Sequence, residues 1–313
     1  MKKRLLFIVN PISGVGRQRR IEKILLEYID HSQYRYAVQY TQYIHHGTEL
    51  AAEAVAKNCY DAVIAVGGDG SVNDVAAGLR GSDMVMGIIP CGSGNGLARN
   101  MKIPLKPSLA VHHINRFHVE EIDTVDVNGH LFVSIAGVGF DALVAREMKQ
   151  AKTRGLQAYT KIMLSTYPNY NEHTYNIIVD GVPMQRKAWF ISLANSNQFG
   201  YNTAIAPLAK LDDGLLDVCI VDKIPITHLP ITMQLVYANH FELSQHVEIF
   251  KAKDVIINNN DDLWVNIDGE GEELGDKLHF SIQPHSLKII SHSPTPAPEL
   301  IKSEIEGALK KIR

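Results

Sequence analysis

The chain has 313 residues, with 31 Lys and Arg against 34 Asp and Glu and a formal charge of −3. That balance excludes a bulk electrostatic drive towards nucleic acid, and the basic clusters Lys2-Lys3-Arg4 and Arg17, Arg19, Arg20 read as a solvated face and phosphate neighbours. A hydrophobic fraction of 45% supplies sizeable cores at a length that suits two domains.

In chain order, Leu5–Val9 reads as a buried strand running into Asn10-Pro11-Ile12-Ser13-Gly14-Val15-Gly16, with a helix from about Arg17. Arg35–Thr41 reads as a strand and Thr48–Lys57 as a helix. Ala62–Val66 is an unbroken apolar run that turns on Gly67-Gly68-Asp69-Gly70, behind which Ser71 is placed to cap a helix with Asp74 as its capping-box acid. Met84–Ile89 repeats the pattern, opening through Pro90-Cys91-Gly92-Ser93-Gly94-Asn95-Gly96 onto a short helical stretch, and Leu105–Asn115 reads as a further helix. Strands alternating with helices predict a parallel sheet covered on both faces, a first domain over residues 1–122.

Three consecutive strand ends thus deliver glycine- and hydroxyl-rich loops to one sheet edge, where open α/β sheets bind ligands. Glycines admit a phosphate close to the backbone, and helix N-termini favour anions. Asp69 is the exception in such a loop, because a carboxylate repels phosphate unless a divalent cation or a transferable proton lies between them. A tight strand-to-helix turn is the bland alternative. Neither the GxxxxGK[ST] nor the GxGxxG spacing is present, and protein-kinase signatures are missing.

After Ile122 the pattern changes to strands and turns. Thr124–Val127, an Asn128-Gly129 turn and His130–Ala136 form one hairpin; Tyr175–Val179, Asp180-Gly181 and Val182–Ala194 form a second. Strands are expected at Leu215–Val221, Val247–Ile257, Leu263–Ile267, Leu278–Gln283 and Leu287–Ile290, with helices near Ala142–Gln150, Leu156–Thr166 and Thr227–Asn239. Residues 123–292 are therefore expected to form a mainly antiparallel β domain. Ser293–Pro298 reads as a stiff linker, and 299–313 as an amphipathic helix that completes the first domain or lies on a membrane or partner.

Three scattered cysteines, Cys59, Cys91 and Cys219, fit free thiols in a reducing compartment, with Cys91 as small filler in its loop. The adjacent pairs His45-His46 and His112-His113 diverge and read as no metal site. No apolar run reaches bilayer-spanning length and no signal peptide is read ahead of the first strand, so a cytoplasmic location is expected. Two acidic segments remain: Leu211-Asp212-Asp213-Gly214-Leu215-Leu216-Asp217, which alone reads as a turn before a strand, and Asn266-Ile267-Asp268-Gly269-Glu270, which alone reads either as a turn of solvated acids or as the holder of a catalytic carboxylate.

Asn10-Pro11-x-Ser13-Gly14, Gly67-Gly68-Asp69-Gly70-Ser71-x-Asn73 and Gly92-Ser93-Gly94-Asn95, in this order, resemble the diacylglycerol kinase catalytic-domain family. That family includes soluble bacterial lipid kinases, sphingosine kinases and ceramide kinases. The resemblance implies the NAD kinase/lipid kinase-like fold, with an α/β first domain and a β-rich lipid-substrate domain. It implies ATP contacts at Asn10, Ser13, Thr41, Gly67, Gly68, Asp69, Gly70, Ser71, Asn73, Gly92, Ser93, Gly94 and Asn95, although Thr41 also reads as a strand end satisfied locally. Glu270 matches the family's general base, and Asp69 is expected to meet ATP-bound Mg²⁺ in catalysis. A structural Mg²⁺ is implied at Asp213 with the main-chain carbonyls of Lys210 and Leu215. Asp141 resembles an acid that in sphingosine kinases meets the lipid's polar head, its alternative being a helix N-cap. The function implied is transfer of the γ-phosphoryl of ATP to a lipid alcohol, diacylglycerol or a sphingoid base, at a membrane surface touched transiently. A homodimer is compatible with it. The rivals are an NAD kinase, which shares the GGDG loop, and a non-catalytic nucleotide-binding regulator.

Overall fold

The computed structural model describes residues 2–13, 20–151, 155–200, 203–258 and 263–291. Strands β1 (Lys3–Val9), β2 (Tyr34–Tyr40), β3 (Ala62–Gly67) and β4 (Val85–Pro90) pair in parallel in the order β2-β1-β3-β4. Between and after them run α1 (Ile21–Tyr28), α2 (His46–Lys57), α3 (Asp69–Gly78), α4 (Gly96–Asn100) and α5 (Pro107–Arg116). The apolar runs are continuous because both sheet faces are covered. Leu6, Ile8, Val63 and Ala65 pack with Leu50, Ala51 and Val75 of α2 and α3 on one face, while Leu5, Phe7, Ile64 and Val66 pack with Leu25, Ala110 and Ile114 of α1 and α5 on the other. Each Leu, Ile, Val or Phe side chain among them contributes roughly 1.5–3 kcal/mol on full burial.

The first correction concerns Ser71. Helix α3 opens three residues earlier than expected, at Asp69, with Gly68 as its N-cap and no side-chain cap. The glycine pair lets the strand turn at once into the helix, which puts Ser71 in the first turn rather than ahead of it.

The chain continues through β5 (Val119–Val127), β6 (His130–Phe132), β7 (Ile135–Gly139), α6 (Phe140–Gln150), α7 (Leu156–Thr166), β8 (His173–Val179), β9 (Val182–Ala188) and β10 (Phe190–Ala194). It then forms a small hairpin of β11 (Gln198–Gly200) and β12 (Thr203–Ala204), followed by β13 (Leu216–Val221), α8 (Leu229–Tyr237), β14 (Val247–Ala252), β15 (Asp254–Asn258), β16 (Trp264–Ile267), β17 (Glu270–Glu273) and β18 (Lys277–Ile290). Six strands form an antiparallel sheet in the order β14-β13-β10-β7-β16-β17. The other sheet runs β2-β1-β3-β4-β18-β15-β8-β9, with β5 pairing β18 and β6 pairing β5. An α/β part and an antiparallel β part, as expected, are thus joined by β18. This strand pairs in parallel with β4 at Ile289↔Met86 and antiparallel with β5 and β15. Val125, Phe132, Tyr175, Ile191, Val218 and Phe280 fill the space between the two sheets, and Phe140, Val144, Trp189 and Phe241 belong to a separate core beside α6 and α8.

Three long strands expected from the sequence are each two strands in different sheets. His130–Ala136 breaks between β6 and β7, Val182–Ala194 at Trp189, and Val247–Ile257 at Lys253. Both halves of each bury apolar residues, so the run carries no mark where the chain crosses over. Conversely, Leu278–Gln283 and Leu287–Ile290 are one strand, β18, which bends between Gln283 and Leu287 where His285 takes a φ of 50°. The linker and helix expected at 293–313 lie outside the described residues. Among the described residues no helix is long and apolar enough to cross a membrane.

Candidate active site

The three glycine loops open at the carboxyl ends of β1, β3 and β4, beside the end of β2. The Asn10 amide donates to Val66 O at 3.0 Å, the Thr41 amide to Val9 O at 2.9 Å and the Cys91 amide to Gly67 O at 2.7 Å, so these strand ends are level. Glycine is required where the loops touch, because a Cβ on Gly92 would lie 2.6 Å from Gly68 Cα and one on Gly67 would lie 2.2 Å from Ser71 Oγ. Asn10 Nδ2 donates to Ser71 Oγ at 3.2 Å, joining the first loop to α3. The Ser13 hydroxyl donates to Asn10 O at 3.1 Å. Ser93 is exposed at the tip of the third loop, and Cys91 is fully buried beneath it.

The Asp69 carboxylate stitches the second loop to the third, accepting the amides of Asn95 at 2.8 Å and Gly96 at 2.6 Å. Burial raises its pKa, the two amides pull it back, and the negative charge of Asp268 adds to the rise. Asn95 acts on its own loop: held at φ 54°, it accepts the Gly92 amide at 2.9 Å and donates to Gly92 O at 2.7 Å. That side chain staples the loop that the resemblance sets against ATP.

Asn73 is likewise redirected. Its amide nitrogen donates to Leu131 O and to Asp268 Oδ2, both at 2.8 Å, reaching the second domain rather than the glycine loops. Asp268 in turn accepts the backbone amides of Val133, Ser134 and Ile135 at 2.8–3.0 Å, where the chain crosses from β6 to β7. Desolvation raises the pKa of this buried acid, and its four donors oppose the rise. Asp268 (φ 48°) and Gly269 (φ 92°) form the two-residue turn between β16 and β17, and Glu270 follows directly. A Cβ on Gly70 would lie 3.5 Å from Glu270 Oε1. The acid of the second domain therefore sits against the glycine loop of the first.

Asp141 stands in the first turn of α6, 4% exposed, and accepts from Asn266 Nδ2 at 2.8 Å. Asn266 Oδ1 accepts the Gly269 amide at 2.9 Å, so Asp141 braces the turn that carries Glu270. The carboxyl is thus buried and bonded within the protein, at the place where the resemblance implies contact with a lipid's polar head. It does not cap its helix, since Gly139 holds the N-cap position.

The hard oxygen donor at Asp69, raised by burial and by a neighbouring acid, suits a divalent cation shared with phosphate oxygens. The first acidic segment, around Asp213, differs in having a cationic side chain beside it. Asp213 Oδ1 accepts the Leu215 amide at 3.2 Å and Oδ2 pairs with Lys251 Nζ at 2.8 Å, so the place where the resemblance implies a magnesium with the carbonyls of Lys210 and Leu215 already has an ammonium beside its carboxylate. Among the described residues no group of three His, Cys, Asp or Glu is arranged around a metal position. The sequence reading placed Asn266 and Asp268 in their motif but missed the bracing role of each, for which the Asp-Gly turn was the available signal. It also missed buried Asp123, whose carboxylate accepts the amides of Gly214 at 2.7 Å and His285 at 2.8 Å and for which the sequence carried no signal.

Glycine loops on the edge of a parallel sheet, closed by a carboxylate from an antiparallel β domain, define a two-domain phosphotransferase. The diacylglycerol kinase catalytic domain profile matches residues 4–127, and a profile described as a YegS C-terminal NAD kinase beta sandwich-like domain matches residues 134–291. The chain belongs to the diacylglycerol kinase family, a family of lipid kinases. A diacylglycerol kinase of Staphylococcus saprophyticus is 28% identical over 301 residues, covering 92% of this chain and 98% of that protein. One of Staphylococcus aureus (strain bovine RF122) is 30% identical over 276 residues, covering 86% and 87%. The crystal structure of a diacylglycerol kinase from Bacillus anthracis superposes with a TM-score of 0.72 at 21% identity, covering 93% of this chain and 97% of that one, which shows the shared fold.

Proposed function

We propose that the chain transfers the γ-phosphoryl of ATP to the hydroxyl of a neutral lipid alcohol of the diacylglycerol type. The observation that carries this reading is the approach of Glu270 to Gly70, because it brings a proton acceptor from one domain to the phosphate loop of the other. The backbone amides about Gly68, Gly70 and Gly94, with the hydroxyls of Ser71 and Ser93, hold the phosphates, and Thr41 and Ser13 border them. Glu270 accepts the proton of the lipid hydroxyl as its oxygen forms the new bond to phosphorus. The bond from phosphorus to the bridging oxygen breaks in line, and ADP leaves with that electron pair. Asp69 would hold Mg²⁺, which when bound would supply positive charge against the phosphates.

A sphingoid base is disfavoured because the acid that would pair with its ammonium, Asp141, is covered and bonded to Asn266. The lipid lies in a bilayer, so the enzyme works peripherally at a membrane surface from the cytoplasm. The test is labelled ATP offered with diacylglycerol, sphingoid base, ceramide and NAD in matched mixed micelles. Turnover on diacylglycerol that falls at least 100-fold in Glu270→Gln, with the thermal melt unchanged, is expected. Turnover on NAD alone, or a Glu270→Gln enzyme of near wild-type rate, would sink it.

A further inference from the structure

Lys251 stands on β14 directly opposite Asp217 of β13 in the register of the six-stranded sheet. Its ammonium lies 3.0 Å from Asp217 Oδ2 and 2.8 Å from Asp213 Oδ2, bridging the strand to the Asp-Asp-Gly turn that precedes it. The Asp217 side chain is only 3% exposed and that of Asp213 22%, so two carboxylates share a poorly solvated corner that needs a positive charge. The other Asp213 oxygen closes its own turn by accepting the Leu215 amide. Around the corner, Asp123 fixes the same turn through the Gly214 amide and ties it to the bend of β18 through the His285 amide. The turn is thus built and neutralised from within the chain.

We infer that the Lys251 ammonium takes the place of a structural divalent cation at this turn, so that the fold of the second domain does not require Mg²⁺. A strongly hydrated Mg²⁺ demands near-octahedral oxygen geometry, whereas an ammonium on a flexible stem bridges two acids with the donors it already has. This inference is separate from the metal that accompanies ATP, because it concerns the melt of the nucleotide-free protein and not turnover.

The experiment is thermal melting of the nucleotide-free full chain in EDTA and in millimolar Mg²⁺, for wild type, Lys251→Arg and Lys251→Met. Wild type and Lys251→Arg should melt at the same temperature in both buffers. Lys251→Met should melt lower in EDTA by on the order of 5 °C, and Mg²⁺ should return part of that loss by entering between the two acids. If Lys251→Met does not fold, the wild-type and Lys251→Arg melts still decide. A wild-type melt that rises by several degrees in Mg²⁺, and loses that rise in Asp213→Asn, overturns the inference. So does a Lys251→Met protein that melts with the wild type.

Discussion

Asp141 is the residue whose chemistry departs furthest from its sequence reading. Burial lifts its carboxyl to about 6, and the hydrogen bond from Asn266 opposes the rise. Because the folded-state value lies above the unfolded one, the native protein binds the extra proton between about pH 4 and pH 6, and stability falls as pH rises through that window. Above it the ionised acid costs roughly 3 kcal/mol, taking about two units at 1.36 kcal/mol each. Asp141→Asn removes the charge and keeps an acceptor for Asn266. Its melt should therefore exceed that of the wild type at pH 8, with the gap closing towards pH 4. Melts at the two pH values check this, and a gap that does not change with pH would show that Asp141 carries no desolvation penalty.

At the scale of elements, the parallel strands were legible because strands covered on both faces are unbroken apolar runs, and β1, β3 and β4 read that way residue by residue. The crossings between sheets were not legible. Trp189 and Lys253 interrupt no pattern, since the strands on either side of each contribute to buried cores. In the site, the glycine loops and Glu270 were legible as motifs, whereas the work of Asp268, Asn73 and Asn95 depends on partners 3 to 195 positions away that no local spacing encodes. The loops also separate two effects that sequence treats alike. Gly92→Ala presses a methyl against the Gly68 backbone, which cannot swing aside, and should cost about 1–3 kcal/mol by overpacking. Gly70→Ala meets Glu270 Oε1 at ordinary contact distance and should fold normally while lowering turnover. Denaturant melts and initial rates on both variants test the contrast, and a Gly92→Ala protein as stable as Gly70→Ala would contradict the packing.

For the whole molecule, the question is what keeps the base of one domain aligned on the phosphate loop of the other. Asp268 is the junction: it binds Asn73 of α3 on the first domain, the crossing at residues 133–135, and, through the chain, Glu270 two positions on. Removing the carboxylate in Asp268→Ala orphans three backbone amides in a covered place at about 1–3 kcal/mol each, so that variant should be severely destabilised or fail to fold. Asn73→Ala is the milder and more informative change, because it cuts the link between domains while Asp268 keeps its backbone donors. It should cost about 1–2 kcal/mol in stability. Turnover should fall by more than that loss of folded protein explains, with kcat affected more than the KM for ATP, since Glu270 rather than the phosphate loop loses its registration. Kinetics at a temperature where both proteins are fully folded separate the two effects. A folded Asn73→Ala enzyme with wild-type kcat would mean that the glycine loop and Glu270 stay aligned without this tie.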